Sequence, residues 1–204
     1  MVETIDVKKL YKDLYNPPSK TPVLIEVPPL DYLMLDGQGD PSGAAFAEAT
    51  QALYSVAYTL KFMLQKELGV KYSVPPMSAL WWADEMTDFL NARRDNWRWT
   101  AMIMQPVVVA PEQLARAISD AARKKDVAAV ADVRLERFAE GLAAQIMHLG
   151  PYSAEPPTIA RLHAFIHHRG YALRGKHHEV YLSDPRRAAP EKMKTVLRQP
   201  VAPA

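Results

Sequence analysis

Glu179 and Tyr181 stand two residues apart in the run Lys176-His177-His178-Glu179-Val180-Tyr181-Leu182, which reads as a strand closed by an Asp184-Pro185 turn. That spacing puts the carboxylate and the phenol on one face. If the face looks inward, a charge enters a core supplied with 4 Trp, 9 Tyr and 9 Met. Burying a carboxylate is costly unless something answers its charge, so such a residue is often functional. Trp81, Trp82, Trp97 and Trp99 crowd into one short stretch, which Met102 and Met104 extend. Aromatic faces attract cations by roughly 0.5–1 kcal/mol when exposed and about 2 when desolvated. A carboxylate among them would select a flat, apolar, positively charged ligand, or serve as a general acid or base. The plainer alternatives are indoles that only fill the core and a Glu179 paired with Arg161, Arg174 or Lys176 at a solvated edge.

The other ionisable groups point elsewhere. Glu155 reads as a helix N-terminal charge favoured by the dipole, and Glu136 and Glu140 as exposed strand-end residues. His167-His168 and His177-His178 are adjacent pairs that diverge on a helix or strand, so neither is a chelate. His163 and His167 have the spacing of a zincin pair, but no Glu follows His163. No metal is expected. Gly37-Gln38-Gly39 lacks the third Gly of a dinucleotide fingerprint, no Gly-Lys-Ser/Thr occurs, and no Ser has a nucleophile-elbow context. No cofactor is expected.

The elements that must position these residues can be read along the chain. A short amphipathic opening around Val7 to Leu14 stops at Pro17-Pro18. Strands are expected at Val23–Val27 and Tyr32–Asp36, with Ser42 capping a long helix that ends at Gly69. Phe46, Ala49, Leu53, Val56, Ala57 and Leu60 recur along it at helical spacing. Ala79–Trp82 and Trp97–Met104 read as strands on either side of a charged excursion, Asp84–Asn96, with some helix. A helix follows from Pro111 to about Lys125, then strands Val133–Phe138 and Leu142–His148, a helix Pro156–His168, and strands Glu179–Leu182 and Met193–Arg198.

This order repeats. The first half runs strand, Gly39, helix, strand, strand and ends in Gln105-Pro106-Val107; the second runs strand, Gly150, helix, strand, strand and ends in Gln199-Pro200-Val201. The expectation is an α+β protein, a duplicated β-α-β-β module whose two antiparallel-sheet halves enclose a central ligand cleft. Residues 1–20 would be an extension, and residues 21–204 a single domain of two repeats, about 21–130 and 131–204.

Whole-chain properties bound the function. At 204 residues, 49% hydrophobic and 24% charged, the chain has a real core. A formal net charge of +2 gives no nucleic-acid footprint, and Arg123-Lys124-Lys125 and Arg186-Arg187 read as solvated element ends. With no Cys, disulfides, thiolate metal sites and a cysteine nucleophile are excluded. Neither a signal peptide nor a membrane span is visible, so the expected location is the cytoplasm.

The chain resembles the stand-alone branch of the GyrI-like small-molecule-binding family over roughly residues 20–202. The resemblance is carried by Leu53 through Phe62, Ala79-Leu80-Trp81-Trp82, Trp97-Arg98-Trp99, Met147-His148-Leu149-Gly150-Pro151-Tyr152, and His177 through Arg187. It implies a duplicated β-α-β-β fold and a pocket for flat hydrophobic, often cationic compounds such as drugs, dyes and xenobiotics. The family's acidic residue maps to Glu179, with Tyr58 or Tyr181 as the tyrosine that helps it; Trp81, Trp82, Trp99, Met102, His148 and Tyr152 are the expected ligand-binding residues. Some stand-alone relatives open the cyclopropane ring of DNA-alkylating natural products, with a Glu directing water at the strained ring. Binding without chemistry, ring-opening hydrolysis and a protein-interaction surface thus stand as alternatives. The short lead before the repeat leaves little room for a helix-turn-helix reader, so the expected partner is a small molecule, with no nucleic acid, membrane or identifiable protein partner.

Overall fold

A computed structural model describes residues 3–84, 93–124 and 127–204. In chain order its elements are β1 (Glu3–Ile5), α1 (Val7–Leu10), α2 (Lys12–Tyr15), β2 (Val23–Val27), β3 (Leu30–Gln38) and α3 (Ala44–Leu68). Then come β4 (Val70–Tyr72), β5 (Met77–Trp82), β6 (Arg98–Gln105), α4 (Pro111–Lys124), β7 (Arg134–Phe138) and β8 (Gly141–Leu149). The last are α5 (Pro156–His168), β9 (Tyr171–Leu173), β10 (His177–Tyr181) and β11 (Lys194–Pro203). Most of the expected Asp84–Asn96 excursion lies outside the described residues, as does Lys125; Arg94–Asn96 forms one 3₁₀ turn. The fold is α+β, with helices laid on antiparallel strands.

Two compact units form. The first comprises residues 1–10 and 30–138, the second 11–29 and 139–204. Residues 23–27 thus fold with the second unit and 134–138 with the first. β7 and β8 follow one another in sequence, yet β7 pairs with β3 and β8 with β2.

The first unit has the strand order β7-β3-β6-β5, all antiparallel. α3 covers it against β3 and β6, and α4 packs on α3. The helix buries Ala49, Ala52, Leu53, Val56, Ala57, Leu60 and Leu64, one stripe at three- and four-residue spacing. Each fully buried Leu or Val there contributes roughly 1.5–3 kcal/mol. Gly69 ends it in a left-handed conformation. At the other end the residue before the helix is Gly43; Ser42 does not cap it and instead donates to Asp40 Oδ1 at 2.6 Å. An Asp-Ser turn satisfies the hydroxyl locally, which removes it from competition for the helix.

The second unit has the order β2-β8-β11-β10, also antiparallel, with β9 on the far end of β11. α5 lies across one face, where Leu162 and Ile166 close a core with Ala144, Ile146, Leu197 and Val201. The opposite face packs Met147, Val180 and Val196 against Tyr15.

Candidate functional site

Strand register decides which side chains of the second unit meet. Tyr181 lies opposite Thr195, and Thr195 opposite His148; Glu179 lies opposite Leu197, which belongs to the core under α5. Opposed residues share a face. Glu179, Tyr181, Thr195 and His148 therefore all point to the α5 side, beyond the end of its apolar contact.

The connection from β8 to α5 brings further groups to that row. His148 Nε2 donates to the Pro151 carbonyl at 3.2 Å, and Nδ1 meets the Thr158 hydroxyl at 3.0 Å. Both ring nitrogens of His148 are thus spent on holding the turn. Gly150, at φ +134°, bends the chain directly over that ring; a Cβ there would sit 3.3 Å from Nε2. The turn continues through a 3₁₀ segment, Tyr152–Ala154, and sets the Tyr152 ring edge-on to Tyr181 at 5.6 Å between centroids.

Glu179 accepts a hydrogen bond from the Tyr181 hydroxyl at 2.8 Å. His177 Nε2 stands 3.5 Å from its other oxygen, outside hydrogen-bonding geometry, with both side chains mostly buried. Of the cations considered as its partner, Arg174 binds the Glu140 and Val201 carbonyls instead. Among the described residues no group of three or more His, Asp or Glu side chains could hold a metal, and no helix is long and apolar enough to cross a membrane.

Two expectations from sequence fail here. Glu155 stands at the start of α5 as expected, but not as a charge favoured by the dipole. It is 5% exposed, makes no capping bond to α5, and leaves Oε1 unmatched beside Thr195, whose buried hydroxyl is unmatched too. Burial, and then the charge of Glu179, push its carboxyl up far enough to hold its proton at neutral pH; Thr195 opposes this weakly. Glu140 is not exposed either, at 1%. It meets Arg198 Nη1 at 3.1 Å and His178 Nδ1 at 2.9 Å. Burial alone would raise its carboxyl, but His178 and Arg198 outweigh that and bring it down to about 2. Glu136 is exposed as expected, bound by Arg134. Neither miss had a local signal, because Arg198 is 58 residues from Glu140 and Thr195 reaches Glu155 only through the β10–β11 register.

In the first unit the expected ligand-binding residues divide between two faces. Trp81 and Trp99 are directly opposed and both meet Phe46 of α3, at 5.2 and 5.1 Å, while Trp97 stacks edge-on to Trp81. Alternation puts Trp82, Met102 and Met104 on the other face, so the methionines do not extend the Trp81–Trp99 group. Trp99 also explains Gly37: a Cβ there would lie 2.1 Å from the indole. Tyr58, on α3, is 47% exposed beside Tyr54, with Lys61 over its ring.

One strand row thus brings an ordered carboxylate, phenols and a neutral acid together beside a helix start. Residues 20–202 match the GyrI-like small-molecule-binding domain, and the chain belongs to that family. An uncharacterized conserved protein from Listeria innocua is 42% identical, with a TM-score of 0.89 over 97% of this chain and 100% of that one. A hydrolase from Listeria innocua is 41% identical, with a TM-score of 0.84 over 98% of this chain and 100% of that one. The EcmrR C-terminal domain, 11% identical at a TM-score of 0.61 over 90% of this chain and 98% of that one, shares the fold. No curated protein sequence matches.

Proposed function

We propose that this small-molecule-binding domain hydrolyses its ligand, a flat hydrophobic compound bearing a cyclopropane ring conjugated to a carbonyl, as in DNA-alkylating natural products. Glu179 is the general base and Tyr181 positions it. The observation that carries this reading is the Glu179 carboxylate held by the Tyr181 hydroxyl at 2.8 Å, with its charge acting on a second, buried carboxyl, Glu155. The 41% identical hydrolase supports it. Water loses a proton to Glu179 and its oxygen bonds to a ring carbon. The strained carbon–carbon bond breaks, and its electron pair passes into the conjugated carbonyl. General base help is worth typically about 10²–10⁴-fold.

The test is to incubate the protein with a spiro-cyclopropyl cyclohexadienone and follow the ring-opened alcohol by mass spectrometry. Turnover should exceed buffer and fall by about 10²-fold or more in Glu179→Gln. No turnover above buffer, or full activity in Glu179→Gln, sinks the reading.

A second reading, capture without chemistry, is favoured by Glu179 being bonded to Tyr181, whose ring meets that of Tyr152, a setting that suits a cationic ligand. Under it Glu179→Gln weakens a cationic dye more than a neutral one; equal losses remove it. Ligand contact by Tyr58, Trp81, Trp82 and Trp99 is a proposal that rests on the family resemblance, contact by Met102 one that rests on its nearness to the indoles in sequence, and His148 is proposed to act by holding the turn that carries Tyr152.

A further inference from the structure

The second unit contains two buried glutamates treated in opposite ways. Glu140 is surrounded by Arg198, His178 and their neighbours: Arg198 also binds Gln145 Oε1 and the Leu14 carbonyl. Its charge is fully answered, as a structural carboxylate requires. Glu155 is nearly as buried, yet no Lys or Arg acts on it. Of the groups on the elements around it (Glu179, Tyr181 and His177 on β10, Thr195 on β11, His148 on β8, Tyr152 before α5 and His163 on α5), only Glu179 and Thr195 act on it directly.

The same region holds buried polar atoms without partners: Glu155 Oε1, Thr195 Oγ1, His163 Nε2 and His177 Nε2. Native structures rarely leave buried polar atoms unpaired, and each such atom calls for an explanation. The helix start would favour an ionised Glu155, but its side chain turns away from the backbone amides and toward the sheet row. A neutral acid kept beside an anionic one is the division of labour that separates acid from base in two-carboxyl enzymes.

We propose that Glu155 is the second catalytic carboxyl, the acid that protonates the ligand oxygen receiving the electrons of the broken bond. This rests on the hydrolytic reading above. As the carbon–carbon bond of the ring breaks, the carbonyl oxygen takes the Glu155 proton while Glu179 takes one from water. A proton then passes from Glu179 to Glu155, and the sum is one water added across the broken bond. Thr195, whose buried hydroxyl stands beside Glu155, is a positioning residue that weakly opposes the rise in its titration.

The experiment is the pH–rate profile on the spiro-cyclopropyl cyclohexadienone for wild type, Glu155→Gln and Thr195→Val, with dissociation constants for the ring-opened product measured in parallel. Glu155→Gln keeps the shape of a protonated acid, and a thermal melt checks the fold. In wild type kcat should fall on the alkaline side as Glu155 loses its proton. Glu155→Gln should lower kcat at least tenfold, abolish that alkaline limb and leave product affinity unchanged. Thr195→Val should move the limb to higher pH, because Thr195 lowers the titration of Glu155. A Glu155→Gln enzyme with wild-type kcat and an unchanged profile overturns the assignment while leaving hydrolysis by Glu179 standing. A wild type without turnover removes the hydrolytic reading itself, and this inference with it.

Discussion

Replacing Arg198 by Met isolates a term that the structure makes large. Glu140, Arg198 and His178 are each 1–2% exposed, and Arg198 also reaches the Leu14 carbonyl at 2.9 Å, tying residues 11–16 to β11. Removing one partner of a buried ion pair leaves an uncompensated charge and costs about 3–5 kcal/mol. Removing both charges, in Glu140→Gln/Arg198→Met, should recover most of that. The pH dependence gives an independent magnitude. The Glu140 carboxyl titrates at about 2 in the folded chain against an ordinary 4.5. Each pH unit between the two values is worth about 1.4 kcal/mol, so this group contributes roughly 3 kcal/mol. Because the folded value is the lower one, that stability is complete above the ordinary value and disappears as pH falls toward the folded one. Urea melts from neutral pH down into this acid window should show the wild type losing it and Glu140→Gln lacking that part of the slope. Equal acid slopes for the two, or an Arg198→Met cost below about 1 kcal/mol, would refute the reasoning. The network bears on the site because His178 precedes Glu179 on β10. Holding His178 to one face fixes Glu179 on the other.

Two further outcomes follow from the geometry. Tyr181→Phe removes the donor at 2.8 Å from Glu179. Hydrogen bonds to charged groups are worth about 1.5–3 kcal/mol, so ring-opening kcat should drop by roughly 10–100-fold in product-release assays with little change in melting temperature; an unchanged rate removes Tyr181 from the mechanism. Gly37→Ala drives a methyl into the Trp99 indole and should cost about 1–3 kcal/mol in denaturant melts with a shifted Trp fluorescence; a neutral effect shows that the indole can withdraw.

Glu155 shows where sequence reasoning stops. Its place before Pro156-Pro157 marks a helix start, and the helix does begin there. Local sequence then favours a charge at a positive dipole end. The β10–β11 register overrides that reading, because it brings Glu179 and Thr195 under the same turn. Met102 is a second case. Its nearness to Trp99 in sequence suggested one cluster, and the three-residue offset puts them on opposite faces of β6.

The chain's own pattern was enough for the α+β class, for α3 from its apolar stripe, for α5 from its prolines, and for Glu179 and Tyr181 sharing a face, because helical and strand periodicities are local properties of consecutive residues. Tertiary structure alone decided that β7 joins β3 while β8 joins β2, that Glu140 is neutralised and that Glu155 is not. Those outcomes depend on which distant groups come within a few ångströms of a buried charge, and electrostatic energy in a poorly screened interior is set by that separation in space.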